Sequence, residues 1–199
     1  MYSRSKLFTT ILSVVLCLMP GLLFAHESGD VMGGLGSGFS HPFTGLDHVA
    51  AMIAVGIWGV QLKQPAIWLL PVTFPVVMAF GAMLGVMGVP LPGIEIGIAV
   101  SAIVLGAMIA FEVVPALWIA AVIVSVFAVF HGHAHGTELP GSVQPLAYGV
   151  GFVVGTGILH VSGITIGFLE RIKFGNIIIR VPGVFIGLIG VYFLYHALV

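Results

Sequence analysis

The chain has 199 residues, of which 59% are hydrophobic and only 7% charged, and its formal net charge is −1. Soluble proteins carry about a quarter charged residues, so this composition excludes an ordinary water-exposed surface, and six basic residues exclude a basic nucleic-acid-binding face. The apolar runs are long and continuous, which predicts membrane-spanning helices rather than alternating barrel strands. The predicted fold class is therefore all-α, a polytopic membrane bundle of about six transmembrane helices after a cleaved signal peptide.

Residues 1–25 have the pattern of a secretory signal peptide. Two basic residues precede an apolar stretch over 7–23, and Ala25 marks a cleavage point. The alternative is an uncleaved first transmembrane helix. The only cysteine, Cys17, lies in this segment, so no disulfide framework and no thiolate metal site is expected in the mature chain.

Two further regions follow the signal. Residues 26–41 form a polar, glycine-rich exported segment, whose stretch 28–40 is expected to be a flexible lead-in. Residues 42–199 form the transmembrane domain. Its hydrophobic runs predict six spans, at 42–62, 65–88, 93–111, 113–130, 143–169 and 177–198.

The basic residues predict the orientation of the chain in the membrane. With the mature N-terminus outside, the connections near 89–92 and 131–142 face outward and hold no Lys or Arg. Basic residues concentrate in the cytoplasmic connections of membrane proteins. Every basic residue of the mature chain then lies on the inner side, namely Lys63, Arg171, Lys173 and Arg180.

The first polar motif is H-P-F-T-G-L-D-H at 41–48. If the first helix begins at Pro42, Thr44, Asp47 and His48 share a face near its outer end. His41 begins the motif. Asp47 beside His48 is a pair of metal ligands or an imidazole whose tautomer is fixed by a carboxylate. The alternative is a helix-capping Asp beside an interfacial His.

The second motif is F-H-G-H-A-H-G-T-E at 130–138, at the outer end of the fourth span. On a helix, His131 and His135 share a face with Glu138, whereas an extended loop would point His133 to the same side as the other two histidines. Three imidazoles and a carboxylate suit a borderline divalent ion such as nickel, cobalt, zinc or copper. A solvated polar loop is the alternative.

Three single residues extend the candidate metal site. Glu95 lies at the outer start of the third span, as a ligand or as an acidic group at a helix N-terminus. His160 lies well inside the fifth span, as a deeper relay ligand, a proton carrier or a structural histidine. His26 would become the N-terminus after cleavage, where its amine and imidazole can chelate one ion; the alternative is a disordered polar leader. His196, near the C-terminus, is interpreted as interfacial.

Both motifs resemble the signature motifs of the HupE/UreJ family, and segments 91–95 and 157–160 resemble family segments too. The resemblance implies a small nickel permease or accessory protein for hydrogenase or urease maturation. It implies uptake across the bacterial inner membrane, no permanently bound cofactor, Ni²⁺ or Co²⁺ as substrate, and metallochaperones of that maturation as partners. By match to the two motifs, the resemblance implies functional roles for His41, Asp47, His48, His131, His133, His135 and Glu138. The match is weaker for Glu95 and His160.

Other function classes compete with a nickel permease. A cobalt-preferring permease and a membrane accessory protein that binds metal without transport share its motifs. An enzyme is not expected, because the chain has no H-E-x-x-H motif. Haem ligation requires histidines at comparable depth on facing helices, and His48 and His160 are predicted at different depths.

Overall fold

The computed structural model describes residues 31–139 and 143–199, and the regular elements in these ranges are helices. The predicted signal peptide and His26 lie outside the described residues. Short 3₁₀ turns occur at His41–Phe43 and Phe168–Arg171. The α-helices are α1 (Val31–Ser40), α2 (Leu46–Gln61), α3 (Ala66–Val86), α4 (Ile94–Ala110), α5 (Leu117–Thr137), α6 (Pro145–Gly167), α7 (Gly175–Ile178) and α8 (Arg180–Leu198).

The helices have the length and composition of a multi-pass membrane protein. Helix α3, helix α5, helix α6 with its following 3₁₀ turn, and α7 with α8 are each long and apolar enough to cross a bilayer. The α1 and α2 segments meet the same test only together, across a bend of 77°. Helix α4 is apolar but has only 17 residues. The described chain thus contains four to five candidate spans, and the predicted six requires α4 to cross as well.

The start of the first span differs from the prediction. The described part of the expected flexible lead-in is helix α1, which packs against α6. A Cβ at Gly38 would lie 2.0 Å from the carbonyl oxygen of Tyr148, so glycine here permits close helix packing rather than flexibility. The expected helix start at Pro42 is a 3₁₀ turn instead. Helix α2 begins only at Leu46, because the preceding Gly45 has an extended backbone conformation.

Helix α2 forms the centre of the bundle. Its residues from Ala50 onward are almost all buried, and it contacts α3, α4, α6 and α8. At its end, Nε1 of Trp58 donates a 3.0 Å hydrogen bond to the Val113 carbonyl, and Nε2 of Gln61 donates one of 3.2 Å to the Ile109 carbonyl. These bonds fix the end of α2 against the end of α4.

Glycines bring helix backbones into direct contact around this centre. In the α3–α5 pair, a Cβ at Gly132 would lie 2.0 Å from the Met78 carbonyl oxygen, and one at Gly136 would lie 2.1 Å from that of Ala82. Small residues permit such approach in membrane helices, where no hydrophobic force drives association. The histidine-bearing end of α5 is therefore held tightly against α3.

Candidate metal centre

Four imidazoles converge at the end of the bundle where α2 begins and α5 ends. The ring centroid of His135 lies 4.8 Å from that of His41 and 4.5 Å from that of His48. The ring of His131 lies 5.0 Å from that of His48. We call these four residues the histidine cluster. Residues from three separate elements therefore meet at one place.

The shallow part of the cluster is open to solvent. Nε2 of His41 lies 3.0 Å from Nδ1 of His135 and 3.6 Å from Oε2 of Glu138. One ligand atom from each of these residues can be chosen so that all three lie within 4.8 Å of one another. The Glu138 side chain is 60% exposed and that of His41 is 29% exposed, whereas His135 is buried. An ion arriving from water can thus reach a set of two nitrogens and one carboxylate.

Local structure explains how His41 reaches this set. Its backbone carbonyl accepts bonds from the Thr44 hydroxyl at 2.7 Å and from the Thr44 backbone N–H at 3.0 Å. These bonds close the 3₁₀ turn that precedes α2. On α5, His135 follows His131 by one helical turn, and Glu138 caps the helix, so all three lie near one side of its last turns.

The deeper part of the cluster presents bare imidazole nitrogens. Oδ1 of Asp47 lies 2.9 Å from both Nδ1 and the backbone nitrogen of His48, so the carboxylate accepts from both. The structure therefore shows Asp47 orienting the His48 ring. Nδ1 of His131 lies 2.9 Å from the Phe127 carbonyl, which can only accept, so that nitrogen carries the proton.

In the His48 and His131 rings Nδ1 carries the proton, so Nε2 has a free lone pair. Nε2 of His48, His131 and His135 is buried and has no hydrogen-bond partner among the described residues. Buried polar atoms are normally paired, and metal-binding imidazoles typically donate their other N–H to a carboxylate or a carbonyl. The cluster has the hydrogen bonding of a metal site.

Aromatic rings line the cluster on its buried side. The ring of Phe152 lies 4.4 Å from that of His135, and the ring of Phe74 lies 5.4 Å from that of His131. Tyr148 lies 5.8 Å from His41. Sequence reasoning did not single out these residues, because an aromatic side chain in an apolar helix carries no signal of its own.

A cavity of about 390 Å³ lies beside the cluster. Its walls include Asp47 and His48 from α2, Glu138 from α5, Glu95 from the first turn of α4, and His196 from the end of α8. Glu95 therefore faces the same space as the cluster. His196, interpreted from the sequence as interfacial, lines this cavity and adds an imidazole that the motifs did not indicate.

Two candidate ligands do not join the cluster. His133 is buried, and its Nε2 lies 2.6 Å from the Val89 carbonyl, so it fastens α5 to the segment after α3. His160 lies deeper, on α6, and Phe74 stands between it and His131, with centroid distances of 5.7 and 5.4 Å.

The opposite end of the bundle carries an ion pair. The Arg180 guanidinium donates to Oε1 and Oε2 of Glu112 at 3.2 and 2.8 Å, which links the α4–α5 connection to the start of α8. These hydrogen bonds hold the pKa of Glu112 below its ordinary value. The pair thus connects two helix ends on the side of the bundle opposite the start of α2 and the end of α5.

Comparisons with known proteins cover nearly the whole chain. A family model described as "HupE / UreJ protein" matches residues 14–193. Protein HupE of Rhizobium leguminosarum bv. viciae is 42% identical over 186 residues, which is 94% of this chain and 95% of that protein. No solved structure matches the chain.

Proposed function

This chain belongs to the HupE/UreJ family, and from that premise we propose that it is a permease that imports a divalent transition-metal ion. Nickel is the first candidate and cobalt the second. Family membership indicates a nickel-related accessory role in hydrogenase or urease maturation. The observation that carries the proposal is the histidine cluster, with three buried Nε2 atoms that lack a partner among the described residues.

The donor atoms support a borderline metal as the substrate. Mg²⁺ and Ca²⁺ prefer sites made only of oxygen, whereas imidazole and carboxylate together suit nickel, cobalt, zinc or copper. The set of His41, His135 and Glu138 is open on the solvent side. A site that must release its ion cannot bind as tightly as a closed structural site, so this openness favours transport over storage.

The arrangement supports an ordered capture. The carboxylates of Glu95 and Glu138 line the cavity and attract a cation from solution. The ion then exchanges water for His41 and His135 and moves to the Nε2 atoms of the deeper rings. The membrane potential supplies about 2.3 kcal/mol per charge per 100 mV, and twice that for a divalent ion. We propose that the protein holds no permanent cofactor and catalyses no chemical reaction.

We also propose the topology that this function requires. The chain crosses the bacterial inner membrane six times, with α1 and α2 as one bent span and α4 as a short one. The cluster faces the periplasm together with the mature N-terminus. This orientation is supported by Lys63 and Arg180, which lie at the helix ends opposite the cluster.

Uptake of radioactive nickel by cells that lack their own nickel importers tests the proposal. We expect uptake above vector with the intact protein and its loss in His48→Ala and His135→Ala at equal membrane abundance. His133→Gln is the matched control, because its side chain points away from the cluster and its amide still donates to the Val89 carbonyl. Cobalt and zinc as competitors rank the metals.

Two outcomes would contradict the proposal in different ways. No uptake above vector by a well-inserted protein would exclude nickel import. If the purified protein then still bound nickel through His135, the chain would be a metal-binding accessory without transport. Equal loss of uptake in His133→Gln and His135→Ala would instead show that the described cluster is not the capture site.

A further inference from the structure

A second group of unpartnered polar atoms lies deeper in the bundle, on α6. His160 is 2% exposed, and neither of its ring nitrogens has a hydrogen-bond partner among the described residues. Thr156 is fully buried, and its hydroxyl is unpartnered in the same sense. The two residues are one helical turn apart and therefore share a face of α6.

The Thr156 hydroxyl differs from the other hydroxyls of this helix. Ser162 and Thr165 each donate to the backbone carbonyl four residues earlier, at 2.9 and 2.8 Å. Such back-bonding is the ordinary state of a hydroxyl inside a helix. Thr156 is buried and does not make this bond. Its oxygen is therefore available to a ligand.

A backbone carbonyl from α3 lies at the same place. Helix α3 contains Pro71 and Pro75, and a proline has no N–H to donate to the carbonyl four residues before it. Because Pro75 has no N–H, the Pro71 carbonyl is without its helical donor; it lies near the His160 ring but does not meet the geometry of a hydrogen bond to it. A hydroxyl oxygen and an imidazole nitrogen on one face of α6 therefore lie on the side where His160 approaches a free carbonyl oxygen of α3.

This group continues the route that begins at the histidine cluster. Phe152, which packs against His135, precedes Thr156 and His160 on α6 by one and two turns. Eight residues of helix cover about 12 Å. The Phe74 ring packs against both His131 and His160. A single aromatic ring thus lies between the histidine cluster and His160.

We propose that Thr156, His160 and the Pro71 carbonyl form a second, inner site where a divalent transition-metal ion stops on its way through the bundle. The identity of the ion rests on the proposed function. The inner site offers fewer nitrogens than the cluster and no carboxylate. It therefore binds more weakly, as a stop before release requires.

Equilibrium dialysis of the purified full-length protein against radioactive nickel chloride tests the inner site by itself. In a His41→Ala/His48→Ala/His131→Ala/His135→Ala background, which removes all four imidazoles of the cluster, we expect one weakly bound ion per chain. Adding His160→Gln should abolish it, and adding Thr156→Val should weaken it about tenfold or more. Thr165→Val is the matched control on the same helix and should change nothing, since its side chain is exposed.

Packing effects are separated by a replacement ligand. His160→Cys supplies a thiolate, another ligand for such ions, and should keep the ion that His160→Gln loses. The inner site is overturned if the background variant binds no ion, if binding survives His160→Gln, or if Thr156→Val and Thr165→Val behave alike.

Uptake by cells then places the inner site on the route. In the otherwise intact chain, His160→Gln should leave nickel affinity at the cluster unchanged and lower uptake about tenfold or more. Uptake equal to that of the intact protein would overturn its place on the route. If the intact protein itself shows no uptake, the permease proposal fails, and the dialysis result still decides whether the inner site exists.

Discussion

Replacing Gly136 by alanine tests whether backbone contact between helices positions the cluster. The added Cβ would lie 2.1 Å from the Ala82 carbonyl oxygen, so α5 must retreat from α3 by about 1.3 Å to reach an ordinary 3.4 Å contact. Backbone atoms of α3 block the Cβ, and no side-chain rotation relieves it. The neighbouring His135 has to move with the helix.

The structure sets the size of the expected effect. Overpacking of this kind costs about 1–3 kcal/mol of stability. Nδ1 of His135 now lies 3.0 Å from Nε2 of His41, and a shift of about 1 Å can cost about a hundredfold in a positioned site. We therefore expect Gly136→Ala to lose nickel affinity and uptake by up to that factor while the protein still inserts.

Gly149→Ala is the matched control. It lies on α6 with nothing within 4 Å of a built Cβ, and alanine favours a helix over glycine by about 0.5–1 kcal/mol. Thermal unfolding in detergent, nickel dialysis and cellular uptake are measured for both variants. If Gly136→Ala matches Gly149→Ala in all three, close α3–α5 contact does not position the cluster.

Three further changes test other parts of the structure. Asp47→Asn removes the charge that holds the neighbouring imidazole and should weaken nickel binding about 10–100-fold in dialysis; unchanged affinity would exclude an orienting role. Trp58→Phe removes the donor to the Val113 carbonyl and should lower the free energy of unfolding by about 1 kcal/mol without changing uptake. Glu112→Gln should change stability little at neutral pH, because its ion pair with Arg180 is exposed. The folded pKa of Glu112 is lowered, so its contribution to the free energy of unfolding is present above the ordinary carboxyl pKa and is lost as pH falls through the lowered value. The stability of Glu112→Gln should therefore fall less between neutral and acidic pH than that of the intact protein.

Hydrophobic runs predicted most helices, because a bilayer-spanning segment is defined by length and apolar composition alone. They failed at α1, whose glycines and serines are equally consistent with a linker. The deciding contact there is between Gly38 and Tyr148, which are far apart in sequence. No local pattern can distinguish a glycine that gives freedom from one that permits close packing.

The candidate site was predicted in part for a similar reason. The sequence left helix and extended loop open for the second motif, and the structure has the helix, which puts His131 and His135 on one side and His133 on another. His196 enters the cavity only because α8 ends beside α4. Its position depends on helix order in the bundle, which no spacing in the chain encodes.

The second motif has two helical faces with different tasks. Gly132 and Gly136 are one turn apart and meet the α3 backbone, while His131 and His135 are one turn apart and meet α2 and the 3₁₀ turn. The same period of four therefore sets the position of α5 and the spacing of its histidines. A glycine in this motif therefore contributes to the position of the imidazoles, because each imidazole lies where the helix backbone places it.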